Sequence, residues 1–365
     1  MIQFHGSIYF PVYLYSLLFI TLFYFFSLKK KEEGLTDENT NSPLVLFYII
    51  AFTVLVGWRP PSGFYFGDSS TYARVFNRFA MGIATYDGTQ SEWFLSWLMY
   101  KCSGVMNVYN FLLVVECFYI VPVVLACRKL VPNHYLLMFI FCMGAFSFFS
   151  YGTNGMRNGM ACSLVILAIA LFNGNILEKL LAIGLSFLAF STHRTTALPI
   201  ICMVAAYLIK DTKFIIKFWI ASIFISLVAG STVEGFFTSL GFDERMDQYA
   251  SHNNLHSSMF SSTGFRWDFL LYSSMPMVLG YYVVCIRKIW DSNYLLLLNT
   301  YILCNSFWVM MIRAAYSNRF AYLSWFLYAL VLAYPCLKFE IWEEQGKKAG
   351  LILLLHFAFT FYIFR

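Results

Sequence analysis

Charged residues are scarce in this chain of 365 residues, of which Asp, Glu, Lys and Arg make up only 12%. A soluble domain typically carries about 25%. Proline and glycine are also few, at 9 and 21 residues, and the nine cysteines form neither a Cys-x-x-Cys pair nor a Cys/His metal spacing. These shortages exclude a soluble domain, a collagen-like or disordered chain and a disulfide scaffold. Hydrophobic residues are abundant instead, at 60%, and the 20% aromatic residues are spread over the whole chain, as is typical of helices in lipid.

Apolar runs that suit membrane-spanning helices recur along the chain, since a span needs about 20 apolar residues rising about 1.5 Å each. The predicted spans are 8–28, 43–58, 106–127, 134–152, 155–174, 176–192, 195–209, 214–232, 268–286, 293–312, 320–338 and 349–364. The first lacks a basic n-region and an A-x-A site, so we expect a retained span and not a signal peptide. The sequence therefore predicts an all-α, polytopic integral membrane protein with about 12 transmembrane helices, folded as a single membrane domain over residues 1–365.

The loops between these spans divide by charge. Short loops rich in lysine and arginine fall on one common side, which the positive-inside rule makes cytoplasmic, so both termini are expected outside. Two longer loops, 59–105 and 233–267, then lie on the outer face, and loops of that length are more often functional than connective. Segment 91–104 is apolar on one face but short, so we expect an interfacial or re-entrant helix there.

Lysine and arginine distribute differently under this topology. Twelve of the thirteen lysines are cytoplasmic and only Lys101 is outside, whereas nine arginines lie on the outer face. Those nine are Arg59, Arg74, Arg78, Arg157, Arg194, Arg245, Arg266, Arg313 and Arg319. Because a guanidinium matches phosphate bidentately and keeps its charge at a low-dielectric interface, the set indicates an anionic headgroup, in particular a pyrophosphate. For any single arginine, an interfacial side chain or a structural ion pair stays an alternative.

The sharpest local feature is the turn Phe190-Ser191-Thr192-His193-Arg194-Thr195-Thr196. The apolar stretch around it, residues 176–209, has 34 residues, or about 51 Å as helix, whereas two crossings need about 60 Å. The turn is therefore expected below the membrane surface, where His193 and Arg194 would line a recessed cavity. Ionisable residues at that depth are candidates for function, although a lone histidine is often structural.

A polar, glycine-containing motif opens the neighbouring predicted helix: Asn154-Gly155-Met156-Arg157-Asn158-Gly159. The free N–H groups of a helix start, together with Arg157, suit an anion. Close helix packing through the Gly155-x-x-x-Gly159 spacing is the alternative.

In the first outer loop, the stretch from Asp68 predicts an amphipathic helix with Tyr72, Phe76 and Phe79 on one face. Asp68 is either the N-cap of this helix or a carboxylate that positions a sugar hydroxyl or takes its proton. Arg74 lies on the same predicted helix.

Five short motifs carry a family resemblance that runs over roughly residues 43–335. They are Gly67-Asp68-x-x-x-Tyr72-x-x-x-Phe76, the helix from Glu92-x-Phe94, Asn154-x-x-Arg157, Ser191-Thr-His193-Arg194-Thr-Thr-Ala197 and Asn318-Arg319-x-x-Tyr322. Together they resemble the EpsG-like, Wzy-type polysaccharide polymerases.

This resemblance implies a multi-pass enzyme of the bacterial plasma (inner) membrane, similar in architecture to the C-type (GT-C-like) membrane glycosyltransferases. Its substrate would be an oligosaccharide repeat unit linked to undecaprenyl pyrophosphate. The enzyme would polymerise these units into O-antigen, the chain of lipopolysaccharide, or a similar surface polysaccharide, with its active site facing the periplasm or exterior. The bilayer, a flippase and a chain-length regulator are the partners implied, and neither a cofactor nor a nucleic acid is expected.

The outer loops contain neither a metal-ligand cluster nor an Asp-x-Asp pair, so we expect a metal-independent reaction in which arginine stabilises the leaving group. His193, or in its place Asp68 or Glu92, would accept the proton of the acceptor hydroxyl. The residues expected to bind pyrophosphate and substrate are Arg157, Arg194, Arg319, Arg266, Arg313, Asn154, Tyr72 and Arg74. A carrier-lipid flippase or exporter, an O-antigen ligase and a membrane acyltransferase are the alternative functions.

Overall fold

The computed structural model describes residues 4–29, 35, 40–89, 92–239, 264–314 and 317–364, and helices are the only regular secondary structure in those ranges. The first eight are α1 Tyr9–Lys29, α2 Pro43–Gly57, α3 Gly63–Phe66, α4 Ser69–Ala80, α5 Trp93–Ser103, α6 Val108–Leu130, α7 Tyr135–Gly144 and α8 Phe148–Thr153. They are followed by α9 Met156–Phe172, α10 Ile176–Thr192, α11 Ala197–Leu208, α12 Thr212–Ser239, α13 Trp267–Tyr281, α14 Ser292–Met310, α15 Asn318–Lys338 and α16 Gln345–Phe364. The predicted all-α class is confirmed.

Each predicted span coincides with helical structure, but the helices differ in length. Within the described residues, six are long and apolar enough to cross a membrane: Gly6–Lys29, Val108–Leu130, Thr212–Gly230, Trp267–Ile286, Asn318–Lys338 and Gln345–Phe364. Shorter apolar helices cover Pro43–Gly57, Met156–Phe172 and Arg194–Leu208. The chain is therefore a multi-pass membrane protein, while the number of twelve spans stays a prediction.

Helix α5 occupies the segment expected to be an interfacial or re-entrant helix. It has 11 residues, a length of about 16 Å, which is roughly half of the bilayer's hydrocarbon thickness. A helix this short cannot cross the membrane by itself, so the described structure removes the reason to count 91–104 as a span. Its position at the outer interface stays a prediction.

The predicted span over 134–152 is not one continuous helix. Helix α7 ends at Gly144, Ala145 is extended with φ −70° and ψ 133°, and α8 begins at Phe148. A helix end exposes carbonyl groups that have no partner within the helix, and lipid cannot supply a donor. The break therefore requires donors from elsewhere in the protein.

Side chains of α1 and α16 supply those donors. Thr360 Oγ1 donates to Gly144 O at 2.6 Å, Tyr13 OH donates to Met143 O, and His356 Nε2 lies 3.0 Å from Phe141 O. Because a carbonyl can only accept, Nε2 of this buried histidine carries its hydrogen. Three polar side chains of predicted spans thus stabilise the broken helix.

The chain divides into two compact units, Met1–His193 with Cys336–Arg365 (unit 1) and Arg194–Pro335 (unit 2). In unit 1, α9 packs against α6 and α10 and is buried on almost every side, as expected for a helix that is apolar all round. The α4–α5 pair packs on this core through Phe76 and Phe94, which cluster with Phe111 and Met156.

Unit 2 is built around α14, which packs against α11 and α12. Its core contains buried polar side chains that pair with one another. Asn305 accepts from Trp219 Nε1 at 2.9 Å and donates to Ser324 Oγ at 3.0 Å, and Trp325 Nε1 donates to Ser273 Oγ at 2.7 Å. Pairing of this kind is what buried polar groups in a membrane domain need.

Candidate active site

A helical hairpin brings two of the predicted residues to the same end of unit 1. Helices α9 and α10 have 17 residues each and are joined by a short turn that Asn175 and Glu178 close as a capping box. Because the helices are equally long and antiparallel, the first turn of α9 meets the last turn of α10. Arg157 lies in that first turn, and His193 is the residue that ends α10.

Glu92 joins these two side chains. It precedes α5, and its Oε1 lies 2.7 Å from His193 Nδ1 while its Oε2 lies 2.5 Å from Arg157 Nη1. The residues come from three separate elements, and Glu92 and His193 are 101 positions apart in the chain. The structure therefore brings together three of the predicted site residues in one ion-paired group, here called the His-Glu-Arg triad.

The geometry of the triad suits proton transfer beside an anion. A carboxylate can only accept, so Nδ1 of His193 carries the hydrogen, and a neutral imidazole then has its acceptor lone pair on Nε2. Arg157 uses Nη1 for Glu92, and a guanidinium has further donors for a phosphate. The side chains are 18% exposed at His193, 19% at Glu92 and 34% at Arg157, which is enough for a ligand to reach them.

A second contact attaches the first outer loop to the start of α9. The Asp68 N–H donates to Asn154 Oδ1 at 3.0 Å. Gly67 has φ +48°, and a Cβ at this position would lie 2.0 Å from Asn154 Oδ1. Only glycine fits both the backbone conformation and this close approach. Two motifs that are distant in sequence, Gly67-Asp68 and Asn154-x-x-Arg157, are therefore in contact.

The prediction of Asp68 as an N-cap is confirmed for its position but not for its side chain. Asp68 occupies the N-cap position of α4, but its side chain makes no capping hydrogen bond, and its αR backbone conformation differs from that of most caps. Asp68 is exposed, as are Asn154 and Arg74. Tyr72 is partly buried and packs on the apolar cluster of unit 1, so the predicted amphipathic face of α4 is confirmed.

The sequence placed Arg59 among the outer-face arginines that indicate an anionic headgroup, but Arg59 belongs instead to the most buried ion pair of the described chain. Arg59 and Glu116 are 0% and 1% exposed and lie 3.3 Å apart. Arg59 Nη2 also donates to Gly152 O at 2.9 Å and to Thr153 O at 3.2 Å. A glutamate inside a predicted span was the signal that could have revealed this pair, since ionisable residues there are rarely without function.

The sequence profile of the EpsG family matches residues 42–365. The chain belongs to the EpsG family. This membership identifies it as a membrane protein of polysaccharide biosynthesis, in a family associated with glycosyltransferase-like polymerase activity. No curated protein and no solved structure matches the chain.

Four of the arginines predicted to bind substrate belong to unit 2 of this EpsG-family protein. Arg194, Arg313 and Arg319 are exposed. Arg266 donates to Asp268 through Nε at 2.9 Å and Nη2 at 2.6 Å, and its guanidinium lies 4.1 Å from the ring centroid of Phe269. An ion pair, the alternative for any single arginine, is therefore observed for Arg266 with Asp268, as it is for Arg157 with Glu92.

Other expectations concern metal and the second outer loop. No group of three or more His, Cys, Asp or Glu side chains in the described part of this EpsG-family chain is arranged to hold a metal ion. Most of the loop expected over 233–267, including Arg245, lies outside the described residues. Metal-independent transfer stays a prediction.

Proposed function

We propose that this protein is a membrane glycosyltransferase that polymerises oligosaccharide repeat units linked to undecaprenyl pyrophosphate, on the outer side of a bacterial plasma membrane. Membership of the EpsG family supports the class of protein. The observation that carries the proposal is the Glu92 carboxylate, which bridges His193 at 2.7 Å and Arg157 at 2.5 Å. One carboxylate thus holds a base and a phosphate-binding cation side by side.

In the proposed step, His193 Nε2 takes the proton of the acceptor hydroxyl, and the hydroxyl oxygen forms a bond to the anomeric carbon of the donor sugar. The bond from that carbon to the pyrophosphate oxygen breaks, and its electron pair leaves with the lipid pyrophosphate. Arg157 stabilises the charge that develops on this leaving group. Glu92 holds the imidazole in place and compensates its positive charge after proton transfer.

Asp68 and Asn154 would bind the sugar beside this group. Asn154 precedes Arg157 by three positions, and both Asn154 and Asp68 are exposed and in contact through the Asp68 N–H. Arg194, Arg313 and Arg319, which belong to unit 2, stay sequence predictions for pyrophosphate binding. Arg266 is a weaker one because Asp268 already engages its donors. A flippase that supplies the units and a chain-length regulator are the proposed protein partners.

The site assignment is tested by His193→Ala, Arg157→Ala and Arg194→Ala at matched protein level. Removing a general base lowers rates about 10²- to 10⁴-fold, so the ladder of long polysaccharide chains should collapse to single units in the His193 variant. Arg157→Lys separates bidentate recognition from charge, because full activity with lysine would mean that charge alone is needed. Unchanged ladders in all three alanine variants would refute the assignment.

A deletion strain decides between the function classes. A polymerase predicts loss of long chains while one repeat unit is retained on the surface. Loss of every unit would instead indicate a flippase or a ligase, and an unchanged profile would reject all of these functions, including the membrane acyltransferase.

A further inference from the structure

Arg59 contacts the turn between α8 and α9, which precedes Arg157, from the buried side. Among the described residues, Arg59 and Glu116 are the only Arg, Lys, Asp or Glu residues that are buried. Arg59 follows α2, and Glu116 lies in α6. Burying two charges is costly and is tolerated only with near-complete hydrogen bonding, so such a pair in a membrane protein needs an explanation beyond stability.

The two terminal nitrogens of the Arg59 guanidinium, Nη1 and Nη2, contact different parts of the fold. Nη1 donates to Val56 O at 2.8 Å and faces Glu116 Oε2 at 3.3 Å. Nη2 donates to the carbonyls of Gly152 and Thr153 and lies against Met156 Sδ. The first set anchors Arg59 to α2 and α6, and the second holds the end of α8 and the start of α9.

The turn held by Nη2 is the one on which the site depends. Gly152 and Thr153 are the last residues of α8, whose carbonyls have no partner inside the helix, and Met156 is the first residue of α9. Asn154 and Arg157 lie between and directly after these contacts. On its exposed side the turn is attached to the Asp68 N–H and, through Arg157, to Glu92.

We propose that Arg59 is a positioning residue for the transfer reaction: from the buried side it fixes residues 152–156 and so places Arg157 and Asn154, while Glu116 neutralises its charge. Arg59 itself does not touch the substrate. This inference rests on the proposed function for its kinetic consequence, but the placement of the turn can be measured without substrate.

Arg59→Ala alone cannot test positioning, because it leaves the Glu116 charge buried without its partner and so lowers the yield of folded protein. The variants must therefore separate loss of positioning from loss of charge balance. The double variant Arg59→Met with Glu116→Gln removes both charges and keeps the volume, an exchange that buried ion pairs often tolerate. We expect this variant to reach the membrane, to lose hydrogen-exchange protection in residues 152–158 and to have a kcat lower on the order of 100-fold, with KM changed much less.

Arg59→Lys provides a second variant that keeps the charge opposite Glu116. A single ammonium cannot donate to both sets of acceptors as the two Nη groups do, so the same losses of protection and kcat are expected without loss of folded protein. If the double variant does not accumulate in the membrane, exchange protection and kcat in Arg59→Lys alone test whether Arg59 positions the turn.

Tyr119→Phe is the matched control. It removes the buried hydrogen bond from Tyr119 OH to Phe148 O at 2.9 Å, which lies at the other end of α8, and should leave both the exchange of 152–158 and kcat unchanged. Wild-type kcat and protection in either Arg59 variant would overturn the proposal, as would an equal loss in the control. Absence of polymerisation by the wild-type protein would refute the proposed function instead, while the exchange measurement would still test the role of Arg59.

Discussion

At the scale of single residues, two glutamates of unit 1 each meet an arginine, and exposure separates their roles. Glu116 is 1% exposed, so no ligand can reach its pair with Arg59, whereas Glu92 is 19% exposed and also binds a histidine. A carboxylate that serves two partners and remains within reach of a ligand is typical of a catalytic group. Glu92 was predicted only as a substitute base, and its position between His193 and Arg157 indicates that it orients both.

The role of Glu92 predicts the effect of Glu92→Gln. An amide keeps the shape but loses the charge that holds the imidazole and the guanidinium, so we expect kcat to fall about 100-fold or more. Combined with Arg157→Ala, the loss should be less than the product of the two single effects, because both act through the same contact. Kinetics with purified protein and a lipid-linked repeat unit would measure this.

Glu178→Gln is the control for that experiment. Glu178 pairs with Lys129 at the opposite end of α10, where both side chains are partly exposed. Removal of this surface ion pair should leave polymerisation unchanged. If Glu178→Gln reduced kcat as much as Glu92→Gln, the effect would belong to the stability of α10 and not to the triad.

At the scale of elements, the glycines at the start of α9 were open to two interpretations, an anion site or close packing. A Cβ at Gly159 would lie 2.6 Å from Tyr151 O, a backbone atom that cannot move aside. At Gly155 the nearest atom would be a side-chain carbon of Tyr151 at 3.4 Å, an ordinary contact. Gly159 therefore allows the close packing of α8 on α9. At position 155 there is enough space for a larger residue than glycine.

This contact predicts opposite effects for two glycine substitutions in the hairpin. Gly159→Ala should lower the free energy of unfolding by about 1–3 kcal/mol, because the added methyl forces α8 and α9 apart. Gly184→Ala, at a position in α10 where the added Cβ would have no atom within 4 Å apart from the local helix backbone, should raise it by about 0.5–1 kcal/mol through helix propensity. Thermal unfolding in detergent would compare the two, and equal shifts would contradict the packing argument.

At the scale of the whole molecule, the surface confirms a membrane protein. Large apolar side chains are exposed along α1, α2 and α10, including Phe19, Phe47 and Phe187. So many exposed apolar side chains would favour aggregation in water, but they suit lipid. The direction in which the chain crosses the membrane stays a prediction of its lysine distribution.

Cysteine accessibility tests that topology. In a variant without native cysteines, a cysteine at Lys101 should react with an impermeant maleimide added to intact cells. A cysteine within 128–133, which covers the end of α6 and the residues after it, should react only after the membrane is permeabilised. External labelling at 128–133 would show that the chain crosses the membrane in the opposite orientation. The arginines would then not gather on the outer face.

The amino-acid sequence by itself determined the class of protein and the helices. Apolar runs in lipid must satisfy their backbone hydrogen bonds locally, so composition and run length are sufficient to predict helices, and Tyr9–Lys29 and Val108–Leu130 lie within a few residues of their predicted bounds. The residue types and the short motifs around them also predicted His193, Glu92 and Arg157 as site residues.

Tertiary structure decided which of those residues meet and where a helix breaks. The break between Gly144 and Phe148 depends on donors from Tyr13 and Thr360, which are 130 and 216 positions from the carbonyls they bind. The burial of Arg59 likewise depends on Gly152, 93 positions away. Contacts at such separations are set by how helices pack, and neither periodicity nor hydropathy along the chain encodes that packing, because each reports only on a residue's immediate neighbours.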